Sequence, residues 1–229
     1  AAAEHRRGGP IVGRRKKNRL LEVAEYPFYR VVSSAVHAAG EERVYRWGGR
    51  FGGVCGKLLR GRDKLAMRNL RVTFPDRDEK ELRATLDECW RHFGRQLLLY
   101  VLMQRMSPDE ILAHVDIVDR HFLDEALAAG NGAIVISAHF GSWEAAGLAI
   151  TSLSNNVHTV ARRLDNDYLQ HDLERLRTST GAVVVDRRAA ARPLMKALSQ
   201  NAVVVMLPDQ AVIQREGILG PFLGRPAWS

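Results

Sequence analysis

The chain has 229 residues, 46% hydrophobic and 26% charged, a globular balance that excludes collagenous, fibrous and wholly disordered classes. That length suffices for one large domain, or one domain with a small helical lobe. The net charge is +8, and two cysteines, Cys55 and Cys89, are too few for a disulfide framework and form no C-x-x-C pair, so no structural zinc site is expected.

Residues 1–19 read as a basic, flexible arm. Among the first 20 residues Arg6, Arg7, Arg14, Arg15, Lys16, Lys17 and Arg19 stand against Glu4 alone, leaving +2 of the net charge for the rest. Such an arm meets anionic lipid, nucleic acid or an acidic protein, or stays a solvated tail. No run of 18 apolar residues marks a transmembrane helix, and no signal-peptide pattern is present. The chain lacks an initiator Met and stops at Trp228-Ser229 without a closing element, so it is expected to be truncated at its C-terminus.

Residues 20–106 read as a helical N-terminal region lying at a membrane interface. Leu20 to Val36 is apolar but broken by Glu22, Glu25, Pro27 and Arg30, which suits lying on a bilayer better than crossing it. Val44, Trp47, Phe51, Val54 and Leu58 are spaced three, four, three and four, which is one helix face. Arg43, Arg46, Arg50 and Lys57 border it, as an interfacial helix needs; an ordinary core helix is the alternative. Glycines 48, 49, 52, 53 and 56 give overlapping G-x-x-x-G spacing, which lets another helix approach closely. A further helix is expected from about Asp78 to Met106, with Leu82, Leu86, Trp90, Phe93, Leu97 and Tyr100 at helical spacing.

Residues 107–229 read as an α/β core. Ser107-Pro108-Asp109-Glu110 is a capping box with Pro at the first helical position. Val115–Val118 is expected as a short strand, and Arg120–Ala129 as a helix ended by Gly130. The apolar runs Ala133–Ser137, Ala182–Val185 and Ala202–Leu207 alternate with helical stretches at about 142–153, 167–179 and 190–200. That alternation predicts a sheet buried on both faces.

One constellation carries chemistry. The strand Ala133–Ser137 runs into Ala138-His139-Phe140-Gly141-Ser142-Trp143-Glu144, placing a histidine at the C-terminal edge of a buried strand. On one continuous helix, five residues put His139 and Glu144 about 140° apart. They meet only if His139 sits in the turn, Gly141 allows that turn, and Ser142 caps a helix starting there. Glu144 would then hold one imidazole nitrogen and leave the other as a base. A buried structural His–Glu pair is the bland alternative. No P-loop, dinucleotide fingerprint, nucleophile elbow or H-E-x-x-H motif is present.

His139-Phe140-Gly141-Ser142-Trp143-Glu144 matches the H-x-x-x-x-D/E motif, and the chain from about residue 20 onward resembles the lipid A biosynthesis acyltransferase family within the glycerolipid and lysophospholipid acyltransferase superfamily. The other shared elements are Arg68-Asn69-Leu70 with Phe74-Pro75, His92-Phe93-Gly94-Arg95, Val160-Ala161-Arg162, Pro208-Asp209-Gln210, and Phe222-Leu223-Gly224-Arg225-Pro226-Ala227.

The resemblance implies an α/β fold with a mixed central sheet flanked by helices. It implies an O-acyltransferase at the cytoplasmic face of a bacterial inner membrane, peripheral or anchored. The donor would be an acyl carrier protein or coenzyme A thioester, a co-substrate, with no cofactor and no metal. The acceptor would be a hydroxyl of a membrane glycolipid, first a lipid A precursor, with a phosphatidylinositol mannoside or lysophospholipid next. His139 would be the general base and Glu144 its orienting partner. Arg162 matches an arginine that meets substrate phosphate, with Arg163 and Arg187 as alternatives, and Asp209 matches an acidic residue at the active site. Backbone N–H groups near Gly141 are candidates for the oxyanion. No nucleic acid partner is expected. The rival class is an inactive basic module binding membrane or nucleic acid through the arm.

Overall fold

A computed structural model describes residues 19–161, 164, 166–210, 212, 214 and 217–229. The basic arm up to residue 18 lies outside the described residues, and Arg19 opens the first helix. Four helices come first: α1 (Arg19–Ala39), α2 (Glu41–Leu58), α3 (Arg60–Thr73) and α4 (Glu79–Met103). Asp78 caps α4 by accepting a hydrogen bond from the Glu81 N–H at 2.8 Å.

The glycines of α2 decide how these helices pack. Val44, Gly48, Gly49, Gly52 and Gly56 are its buried residues. A methyl at Gly52 would overlap the Trp90 carbonyl oxygen, and one at Gly94 would overlap the Gly48 carbonyl. The backbones of α2 and α4 therefore touch, as the G-x-x-x-G spacing predicts. The apolar stripe of α2 behaves differently. Only Val44 is buried; Trp47, Phe51, Val54 and Leu58 are 40–75% exposed. α3 is tied to α4 by Arg83, whose guanidinium donates to both Asp63 oxygens at 2.7 and 2.9 Å and also reaches Asp87. Val36, Ala39 and Val44 close a small core with Leu98 and Val101.

α5 (Pro108–Leu112) begins with the expected capping box: Ser107 and Glu110 exchange both bonds. Residues 115–118 form no strand. They run irregularly into α6 (His121–Ala128), and among the described residues no strand pairs with them. Then follow β1 (Ala133–Ile136), α7 (Trp143–Leu153), β2 (Val157–Ala161), α8 (Asp167–Thr178), β3 (Val183–Asp186), α9 (Ala191–Leu198) and β4 (Val203–Met206). The sheet order is β1-β4-β2-β3, and all three pairings are parallel. The expected mixed central sheet is thus corrected to a parallel one. The antiparallel pair β5 (Leu219–Phe222) and β6 (Arg225–Trp228) is a separate hairpin. Positive φ at both Leu223 and Gly224 gives it the tight turn that matches strand twist.

β4 is the buried centre of the sheet: Val203, Val204 and Val205 are at most 4% exposed. Leu123 and Leu127 of α6 and Ile150 of α7 pack against Val157, Val203 and Val205. A second cluster joins the end of α4 to the core, through Met103, Ile111, Ala145, Leu148 and Leu176. Among the described residues, no helix is long and apolar enough to cross a membrane.

Candidate active site

β1 and β4 lie in register, Ile136 opposite Met206, and the Ser137 N–H extends the ladder to the Met206 carbonyl at 2.8 Å. His139 and Asp209 each stand three residues past those paired ends. The sheet therefore delivers both to the same C-terminal edge, where parallel sheets build their sites. The His139 backbone N–H donates to Asp209 Oδ2 at 2.8 Å, and His139 Nδ1 lies 2.7 Å from Oδ1.

This geometry fixes the proton on the ring. Burial pushes the Asp209 carboxyl up, but hydrogen bonds from the His139 ring and backbone outweigh it and hold it below its ordinary value. An ionised carboxylate only accepts, so Nδ1 carries the hydrogen. In the neutral imidazole Nε2 is then the free base.

The local turn is as expected in part. Gly141 has φ +58, a conformation that favours glycine. Ser142 sits at the N-cap of α7, but its hydroxyl makes no capping bond; only its carbonyl joins the helix, accepting from the Ala146 N–H at 3.0 Å. Phe140 is thrown outward, 85% exposed, with its ring 6.4 Å from that of His92 on α4.

Glu144 does not hold His139. Its Oε2 accepts from Arg177 Nε at 3.0 Å, and its Oε1 accepts from Arg177 Nη2 at 2.5 Å and from Trp143 Nε1 at 3.2 Å. The role of holding the imidazole, given to Glu144 from the sequence, falls to Asp209, because Glu144 lies in the first turn of α7 and meets Arg177 of α8. The Trp143 ring lies 5.5 Å from the His139 ring, tilted by 59°. Sequence reasoning gave no role to Trp143 or Arg177. Trp143 stood inside the motif, while Arg177 carries no local signal.

A cavity of about 610 Å³ opens beside this edge. His139, Trp143, Glu144, Arg177 and Arg187 line one part, and Leu148, Leu173, Leu176 and Val205 make another apolar. Arg187, in the short turn after β3, is thus brought to the site. Arg162 and Arg163 lie outside the described residues. Among the described residues, no group of three or more His, Cys, Asp or Glu is placed to hold a metal ion.

The model of the bacterial lipid A biosynthesis acyltransferase family matches residues 12–229. The chain belongs to that family. Within this acyltransferase family, it is similar to a phosphatidylinositol mannoside acyltransferase of Mycobacterium tuberculosis, 35% identical over 107 residues, covering 45% of this chain and 34% of that protein. It is also similar to a lipid A biosynthesis palmitoleoyltransferase of Escherichia coli, 23% identical over 175 residues, 76% of this chain and 56% of that protein. A lipid A biosynthesis acyltransferase of Haemophilus influenzae is 26% identical over 170 residues, 74% and 53% of the two chains. The chain thus spans between a third and just over half the length of these acyltransferase relatives.

Proposed function

We propose that the protein transfers a fatty acyl chain from a carrier or coenzyme A thioester to a hydroxyl of a membrane glycolipid, with His139 as the base. The observation that carries this reading is the His139–Asp209 pair at the mouth of a largely apolar cavity. Nε2 takes the proton of the acceptor hydroxyl as its oxygen attacks the thioester carbonyl. The tetrahedral intermediate collapses, the C–S bond breaks, and the imidazolium returns the proton to the leaving thiolate. Backbone N–H groups around Gly141 steady the oxyanion. Asp209 keeps the ring in the reactive tautomer and balances the imidazolium charge. A base of this kind is worth roughly 10²–10⁴ in rate, about 3–5 kcal/mol of barrier.

Arg187 at the cavity supplies a cation for a phosphate of the acceptor, together with Arg162 or Arg163. The lipid A precursor remains the first acceptor, because the family and the longest similarities point to it. The 35% identity to a phosphatidylinositol mannoside enzyme supports that glycolipid as the second. The reaction would take place at the cytoplasmic face of the inner membrane; the exposed stripe of α2 with its basic border supports only that the protein lies on a bilayer.

The test is acyl transfer by the full-length protein in detergent. Acyl carrier protein and coenzyme A thioesters are offered with a lipid A precursor or a phosphatidylinositol mannoside. Turnover with one pair, reduced at least about 100-fold by His139→Ala, is the expected result. Turnover untouched by that substitution excludes His139 as the base. No turnover with any pair favours a binding module.

A further inference from the structure

We propose that the partly buried Glu144–Arg177 ion pair is a positioning clamp that holds Trp143 against the His139 imidazole and takes no part in moving the proton. The inference rests on the acyl-transfer reading for its kinetic test, and on geometry alone for its chemical one.

The carboxylate of Glu144 is fully committed. Arg177 engages both oxygens in a two-pronged contact, and the Trp143 indole donates to one of them. The two side chains are 12% and 22% exposed, so water competes little for those bonds. The acid that faces His139 is Asp209, and it already takes the Nδ1 proton. A relay through Glu144 has neither a free oxygen nor a contact with the ring.

The clamp has a clear mechanical reach. Arg177 comes from α8, 33 residues beyond Glu144, so the pair fastens the first turn of α7 to a neighbouring helix. Trp143 is the residue before Glu144, and its ring lies 5.5 Å from His139. His139 itself sits in the irregular turn between β1 and α7, with Gly141 at φ +58, and its ring is held by Asp209 and Trp143. One face of the imidazole is therefore set by Trp143 and one edge by Asp209.

The charges agree. Burial would lower the Arg177 guanidinium, but its bonds to Glu144 more than restore the charged form. Tyr100 from α4 and Glu174 from α8 also face Arg177. Burial pushes the Tyr100 phenol up, so it stays neutral. Glu174 accepts a hydrogen bond from Gln170. Glu144 is thus the carboxylate that answers Arg177 directly.

The test compares Glu144→Ala, Arg177→Ala, their double variant and the shape-conserving Glu144→Gln in the full-length protein. The clamp predicts that each alanine variant loses at least tenfold in kcat, with KM for the thioester within threefold. It predicts that the double variant is no worse than the poorer single, since both remove one device. Glu144→Gln keeps one acceptor oxygen, enough for the Trp143 indole and Arg177 Nη2, and should stay within about fivefold of the parent. A relay predicts instead that Glu144→Gln falls as far as Asp209→Asn, and that Arg177→Ala multiplies the loss. Either result overturns the clamp.

A second readout needs no turnover. The rate of His139 modification by diethylpyrocarbonate, followed by mass spectrometry, should rise at least threefold in both alanine variants and stay unchanged in Glu144→Gln. Equal rates in all four proteins overturn the clamp. If the parent shows no acyl transfer with any pair, that reading fails, and these rates alone decide the inference.

Discussion

Asp209 grips His139 through both the ring and the backbone, so removing its charge should damage the base without emptying the site. Asp209→Asn is expected to lower kcat by about 10²-fold, within the range for losing a properly oriented general base, with a far smaller change in KM. Steady-state kinetics on the accepted substrate pair check this. The same carboxyl, with Asp63 held below its ordinary value chiefly by Arg83, makes the protein sensitive to acid. Each acid is depressed in the folded state, so its stabilisation is complete above the ordinary carboxylate range. It fades as pH falls through the depressed folded values. Urea midpoints should therefore drop below about pH 4, and drop less steeply in Asp209→Asn; equal slopes would contradict it. Both members of this pair stood out in the sequence, His139 by its place after a strand and Asp209 by resemblance. Their pairing was hidden, because they are 70 residues apart and only the sheet order joins them. The short spacing to Glu144 pointed to the wrong acid for the converse reason: closeness along a chain does not set which way a helix turn faces.

The glycines of α2 offer a sharper test of packing than its large side chains. Gly52→Ala places a methyl on the Trp90 carbonyl, which is backbone and cannot yield cheaply. A loss of about 1–3 kcal/mol is expected, read as a fall in Tm of several degrees. Gly53→Ala, one residue on, meets open space. It should stabilise the helix by about 0.5–1 kcal/mol and raise Tm by about 2–4 °C per kcal/mol. Opposite signs at adjacent positions would be hard to obtain from any other helix contact. α7, α8 and α9 and the valine-rich strands were legible to within a residue or two, since buried parallel strands concentrate β-branched residues between turns. The buried face of α2 was legible only through its G-x-x-x-G spacing, because hydrophobic counting gives glycine no weight and singled out the stripe that is exposed. A backbone-to-backbone contact is made of what is missing. Residues 115–118 failed for another reason: a short apolar run becomes a strand only when it docks on a sheet edge, and this one docks on neither β1 nor β3.

The chain carries two surfaces: the candidate active-site edge of the parallel sheet, and a ridge of exposed apolar side chains on α2. Phe140, next to His139, stacks near His92 of α4. The protein is expected to sediment with phosphatidylglycerol vesicles and much less with phosphatidylcholine, with binding weakened by salt. Replacing Trp47 and Phe51 together by Ser should reduce that binding at least tenfold while leaving Tm nearly unchanged, because both rings are exposed. Unaltered sedimentation would remove α2 from the contact. The register of β1 and β4 has a consequence in time. During synthesis at roughly 5–20 residues per second, His139 leaves the ribosome several seconds before the strand that carries its partner. β1 waits through three helices and two other strands, and loop closure of that length is slow. In refolding, turnover should therefore return after the helical circular dichroism signal, and simultaneous recovery would contradict this order. The His139–Asp209 pair can form only after β4 has been made.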